Sequence, residues 1–174
     1  MKLRKTLLIM LVCSLVLSLS MVGALFAYMY QKTGEVTNTF VPANVSCLVN
    51  ETFSGNTKSS ITVQNTGNIA AYLRVRMVSY WVDEKGDIMP AASQMPGYSV
   101  ASGWVSLGNH TYCYRNPVEP GASTPELLAS SMVLQQSEEG YRQVVEVFAE
   151  AIQANPTDAV KAWSVNVNAD GTIG

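Results

Sequence analysis

His110 is the only histidine of the 174-residue chain, and Cys113 stands three positions after it in NHTYCYRN. Such a pair can form a nucleophilic dyad when the imidazole takes the thiol proton. Along a strand, however, residues three apart point to opposite faces, so this spacing separates the two side chains. His110 lies in the turn-like stretch GNHTY, where a lone imidazole is ordinarily solvated.

Carboxylates are the next candidates. Glu146 and Glu150 alternate around Phe148 in EVFAE. At ~3.3 Å per residue their Cβ atoms lie about 13 Å apart, beyond the ~5–9.5 Å that separates the acid and base of a glycosidase. Arg74 and Arg76 on another strand-like stretch are better partners, since opposed charges across a sheet contribute roughly 0.2–1 kcal/mol each. Asp83, Glu84 and Asp87 sit in DEKGD, which lacks the D-x-[DN]-x-[DN]-G spacing of a calcium loop and reads as a solvated turn. HExxH, G-x-S-x-G and a glycine-rich phosphate loop are absent from the sequence. No catalytic, cofactor-binding or metal-binding set is therefore predicted, and the chain reads as a protein that is not an enzyme and needs no cofactor. Three N-x-[ST] sequons, at Asn44, Asn50 and Asn109, matter only where a glycosylation machinery exists.

The elements that carry these residues are strands. In AAYLRVRMVSYWV, Leu73, Val75, Met77 and Trp81 share one face, while Tyr72, Arg74, Arg76 and Tyr80 share the other. Period-2 alternation of this kind predicts a half-buried strand. Ile61 and Val63 alternate in the stretch before it, and the turn cluster Asn65–Asn68 predicts a hairpin between the two. SGWVSL and HTYCYRN flank Gly108-Asn109 as a second hairpin. Thr124-Pro125-Glu126 predicts a short helix or a loop. In RQVVEVFAEAIQA, Val145, Val147, Ala149 and Ala151 face one way, against Glu146, Phe148, Glu150 and Ile152. A short helix is expected from Asn155-Pro156 to Trp163, and the tail SVNVNADGTIG is read as an edge strand or a frayed end. Many strands with turn signals and few helices predict an all-β sandwich over residues 42–174.

The N-terminus is different in kind. Lys2, Arg4 and Lys5 precede an uncharged apolar run from Leu7 to Val22, followed by Gly23, Ala24 and Ala27. That order is the signature of a signal peptide over residues 1–27. Cleavage is placed between Ala27 and Tyr28, or alternatively between Ala24 and Leu25. Uncleaved, residues 7–30 are long enough to anchor the chain in a bilayer. Cleavage removes three of the 11 basic residues and none of the 13 acidic ones, which leaves a net charge of −5. Such a balance speaks against nucleic acid or an anionic membrane surface as partner and for a secreted, extracellular location. Cys47 and Cys113 remain after cleavage. In a secreted chain they either form a disulfide or stay as small apolar side chains.

Several segments occur in a telling order: a signal ending in ALFAYMY, then EVTNTFVPANV, K-x-x-I-T-V-Q-N-T-G-N-I-A-A-Y-L-R-V-R, YRNPVEPGAST, and FAEAIQA before a tryptophan. Together they resemble the TasA/camelysin family of secreted proteins of Gram-positive bacteria, and particularly its shorter biofilm-matrix members processed by a SipW-type signal peptidase. The resemblance implies a jelly-roll-like antiparallel β-sandwich with one or two short helices. It further implies that the exported chain is a structural subunit of matrix fibres, in which the freed N-terminal strand of one subunit completes the sheet of the next. Here that strand corresponds to residues 28–41, with Val36, Phe40 and Val41 as candidate contacts. The implied partners are further copies of the chain, other matrix subunits, and the signal peptidase during export. The metalloprotease activity described for camelysin does not carry over, because this chain has one histidine and no HExxH. A membrane-anchored or monomeric adhesin-like binding module is the alternative reading.

Overall fold

The computed structural model describes residues 2–32, 41–137 and 139–174. It divides into two compact units, residues 1–41 and 42–174.

The first unit is the helix α1 (Lys2–Lys32). Residues Leu3–Tyr28 form a stretch long and apolar enough to cross a membrane. Ser14, Ser18 and Ser20 donate to the carbonyls of Leu11, Leu15 and Leu17 at 3.3, 2.8 and 2.8 Å. Their hydroxyls are thus satisfied inside the helix, as an apolar surrounding demands. The expected strand over 28–41 is corrected at its start, because Tyr28–Lys32 continue the helix. No glycine or proline interrupts the chain between Gly23 and Gly34, so the apolar helix runs on past Ala27.

The second unit contains β1 (Cys47–Ser54), β2 (Thr57–Asn65), β3 (Ala71–Val82), β4 (Ile88–Met89), β5 (Trp104–Gly108), β6 (Thr111–Tyr114), β7 (Met132–Val133) and β8 (Arg142–Gln153), followed by a 3₁₀ helix, Thr157–Trp163. All pairings are antiparallel. One sheet has the order β1-β2-β7; in the other, β3 pairs with β8 along one edge and with β6 and β4 along the opposite edge, and β6 pairs with β5.

The β5–β6 hairpin forms as the sequence predicts, with left-handed Asn109 and His110 at its tip. The hairpin expected across Asn65–Asn68 does not form, because β2 and β3 belong to different sheets. The connection is an arch built by two residues. Asn65 is buried, and its Nδ2 donates to the carbonyls of Ile69 and Val118, both at 2.8 Å, while its Oδ1 accepts from Gly67. A Cβ on Gly67 would lie 2.3 Å from the carbonyl oxygen of Asn44, so only glycine allows the chain to pass there.

Thr124-Pro125-Glu126 forms no helix. It belongs to an extended strap along β2, where Val63 N donates to Thr124 Oγ1, and Thr124 N and Leu127 N donate to the Val63 and Ile61 carbonyls.

Two clusters hold the unit together. The larger joins the sheets through Ile61 and Val63 of β2, Leu73, Val75 and Met77 of β3, and Val145 of β8. The smaller lies on the other face of β3, where Tyr72 and Cys113 pack with Val160, Val165 and Ile173. The expected polar outer face of β3 is therefore covered at its start. The tail is neither an edge strand nor frayed: Ile173 is fully buried, its N–H donates to Arg115, and Tyr72 Oη donates to the Gly171 carbonyl at 2.8 Å. Trp81, expected inside, is half-buried, with its indole N–H on the Ala92 carbonyl.

Candidate functional site

The second edge of β8 is where main-chain chemistry is left over. Ala71 exchanges both backbone bonds with Val118, and Met77 N donates to the His110 carbonyl. Odd-numbered residues of β3 therefore turn their polar groups away from β8, and even-numbered residues turn theirs toward it. In the β3–β8 register, the partners of the odd residues are Gln143, Val145, Val147, Ala149, Ala151 and Gln153. These six aim their N–H and C=O groups out of the sheet.

Two of the six are met. Gln143 N donates to the Gln135 carbonyl at 2.9 Å, and the Val145 carbonyl accepts Lys58 Nζ at 2.9 Å. Val147, Ala149, Ala151 and Gln153 have no ladder or bridge on this side among the described residues. The side chains of Val147, Ala149 and Ala151 lie against the larger cluster. They are small, which leaves lateral room beside the edge.

The second edge of β1 is open in the same way. Its Cys47, Val49 and Glu51 face Asn65, Val63 and Ile61 of β2, whose polar groups are spent on the strap. The two edges lie on one side of the unit, because β1 packs beside β8. Lys58 ties their ends together: almost fully buried, it pairs with Glu51 of β1 and donates to Val145 of β8. Beyond this tie lies a groove of about 470 Å³ lined by Glu51, Phe53, Lys58, Leu134 and Arg142 among others. Phe53 is 54% exposed in it.

An edge of this kind can accept an extended segment, since unpaired strand groups are a template for a further strand. Each bond formed contributes about 0.5–1.5 kcal/mol net.

The residues singled out in the sequence fall as follows. Ala24, Leu25, Ala27 and Tyr28 are exposed on α1. Val36 and Phe40 lie outside the described residues, and Val41 is 70% exposed. Cys47 and Cys113 are free thiols on opposite sides of the β3 sheet, so the disulfide alternative is corrected in favour of small apolar side chains. Burial is the main cause that pushes the Cys113 thiol up to about 12, against the pull of Arg74. Burial, and then the Glu150 carboxylate, raise Cys47.

His110 does not meet Cys113. Its Nδ1 lies 2.8 Å from Tyr98 Oη, which also bonds Tyr112 Oη at 2.6 Å. Burial and the Tyr112 hydrogen bond push the Tyr98 phenol well above its ordinary range.

The expected charge pairing across the sheet is seen for Arg74 and Glu150, which are direct register partners and form an ion pair. Glu146 instead accepts Tyr80 Oη at 3.2 Å. Asp83 Oδ1 caps its own turn, accepting from Lys85 N and Asp87 N, both at 2.9 Å. No group of three or more metal-ligating side chains occurs among the described residues.

Sequence reasoning missed Lys58 and Gln143. Gln143 Nε2 donates to Ser79, Ser93 and the Gln94 carbonyl, which pins a loop to the β8 edge. A buried-side position in an alternating strand, occupied by Gln rather than Val, was the available signal. Compared with known proteins, the chain matches no family model, no curated protein and no solved structure.

Proposed function

We propose that this chain is a secreted structural subunit of extracellular matrix fibres, of the kind found in biofilms. Its second unit is a jelly-roll-like β-sandwich, and its first 27 residues are a signal peptide removed before Tyr28. Once freed, residues 28–41 of one copy add as a strand to the next copy. The observation that carries this reading is the outward-facing main chain of Val147, Ala149, Ala151 and Gln153. The pattern of the segment suits a donor strand, because Val36 and Phe40 fall on one face of an extended chain, and residues 28–32, helical in the uncleaved chain, unwind on joining it. That face lies beside Val147 and the two alanines when the segment pairs with β8. Phe40 or Val36 then reaches the groove beside Phe53. No chemistry at the site is required, so the role is non-enzymatic, with the chain itself and related matrix subunits as partners.

The test is negative-stain electron microscopy and light scattering of two purified chains, one beginning at Tyr28 and one at Pro42. Fibres from the first and monomers from the second are expected. Monomers from both would remove self-assembly by this segment.

A second reading is supported by the Leu3–Tyr28 span. If the peptide is kept, the second unit is a membrane-anchored surface module of adhesin type. Mass spectrometry of the protein from its producing cell separates the two, since cleavage at Ala27 removes the whole span.

A further inference from the structure

On the outer face of the β3–β8 pair lies an open hollow of about 450 Å³. Its lining includes Arg74, Arg76, Asn109, Thr111, Glu150 and Trp163, together with Leu107 and Ser164. Its size falls in the ordinary range of ligand sites, roughly 300–1,000 Å³.

The backbone around it departs from what local structure would choose. Among the described residues, the non-glycine positions with positive φ are Asn109 (48°), His110 (55°) and Ser164 (58°). A two-residue hairpin tip demands positive φ at both positions, and Asn-Gly is the usual pair. Glycine is likewise the default where a helix ends in a left-handed residue, as at Ser164. At the hairpin tip the side chain kept in place of glycine is that of His110, which does not line the hollow; at the helix end it is that of Ser164, which does. Ser164 thus carries a backbone cost of the kind that functional sites hold.

The charges inside are arranged unequally. Arg74 lies over Trp163, 4.6 Å from the ring centroid, and is ion-paired with Glu150. It is thereby held rigid and neutralised. Arg76 is exposed and takes part in no ion pair among the described residues. The hollow thus offers one uncompensated guanidinium, hydroxyl and amide groups of both hydrogen-bonding kinds, and the apolar flanks of Trp163 and Leu107.

We propose that this hollow binds a carboxylated sugar unit of an acidic polysaccharide. Arg76 takes the carboxylate in its planar fork, as guanidinium groups do. Sugar hydroxyls donate to Glu150 and Thr111 and accept from the Asn109 amide. The C–H face of the ring packs on the flank of Trp163 and Leu107. Glu150 in the same hollow opposes a doubly charged phosphate, so a single carboxylate is the better match. This assignment does not depend on fibre formation.

The test uses the full chain in a nonionic polyoxyethylene detergent, titrated calorimetrically with trigalacturonate, its neutral galactose analogue and inorganic phosphate. Saturable binding of trigalacturonate is expected, with the neutral sugar weaker by about tenfold or more. Arg76→Gln is expected to weaken the acidic sugar by a similar factor, with an unchanged thermal melt. Lys85→Gln, in the exposed turn after β3, is expected to change nothing. Equal binding of acidic and neutral sugar overturns the proposal. So does full binding by Arg76→Gln, competition by phosphate at equal concentration, or no saturable binding by the unsubstituted chain.

Discussion

At Cys113 the surroundings decide what the residue does. The side chain is fully buried, and its Sγ lies 3.4 Å from the Leu73 carbonyl. The folded thiol ionises near 12, against 9.0 for an ordinary one. Well below pH 9 the group is neutral in both the folded and the unfolded chain and gives stability no pH dependence. Above it, the unfolded chain loses the proton while the folded chain keeps it. Stability is therefore expected to fall as pH rises from 9 toward 12, and Cys113→Ala should flatten part of that slope. Denaturant midpoints at pH 8, 9.5 and 10.5 measure it. Alkylation at pH 8 should label Cys113 only after unfolding. The alternating pattern of the sequence placed Tyr72 on the outer face of the sheet. What it could not show is the second cover on that face, because Val165 and Ile173 come from a segment without strand or helix periodicity and the short helix signal before them does not say what Val160 packs on. The Arg74–Glu150 pair was legible, since both residues belong to long regular strands with unmistakable faces.

At the scale of elements, the β8 edge and the C-terminal segment make opposite predictions. The N–H of Ala149 points away from β3, whereas that of Phe148 points toward it. Proline is tolerated on an edge strand where its missing N–H faces outward. Ala149→Pro is therefore expected to keep the fold, with a stability change of about 1 kcal/mol or less, and to abolish fibre growth. Phe148→Pro removes a ladder bond and should cost about 1–3 kcal/mol. Circular dichroism melts beside electron microscopy distinguish the two outcomes. In the C-terminal segment, Ile173 is fully buried beneath Tyr72. Ile173→Ala is expected to cost about 2–5 kcal/mol by urea denaturation, where a frayed tail would cost nothing measurable. Regular elements were readable because their period matches their burial. The arch at Asn65–Gly67 was not, since a turn cluster predicts a reversal but not whether the next strand joins the same sheet. That choice depends on Asn65 bonding to Val118, more than fifty residues away.

At the scale of the whole molecule, the chain combines an apolar helix with a β-rich unit that closes its own core. Among the described residues, both hydrophobic clusters are built within residues 42–174. Under the proposed function, residues 28–41 of one copy add to the unpaired β8 edge of another. The composition foretold this division, because the apolar residues crowd into the first thirty positions and strand alternation begins after them. The unpaired β8 edge itself was not readable, since which side of a strand stays unpaired is set by the order of strands in the sheet. Hydrogen exchange by NMR tests the claim most directly. Residues 42–174 are mixed with a synthetic peptide of residues 28–41, and amide protection is compared with the unmixed unit. The account predicts new protection at Val147, Ala149, Ala151 and Gln153, with Glu146, Phe148 and Glu150 unchanged because their amides already pair with β3. Protection confined to other strands, or no change at saturating peptide, would contradict it.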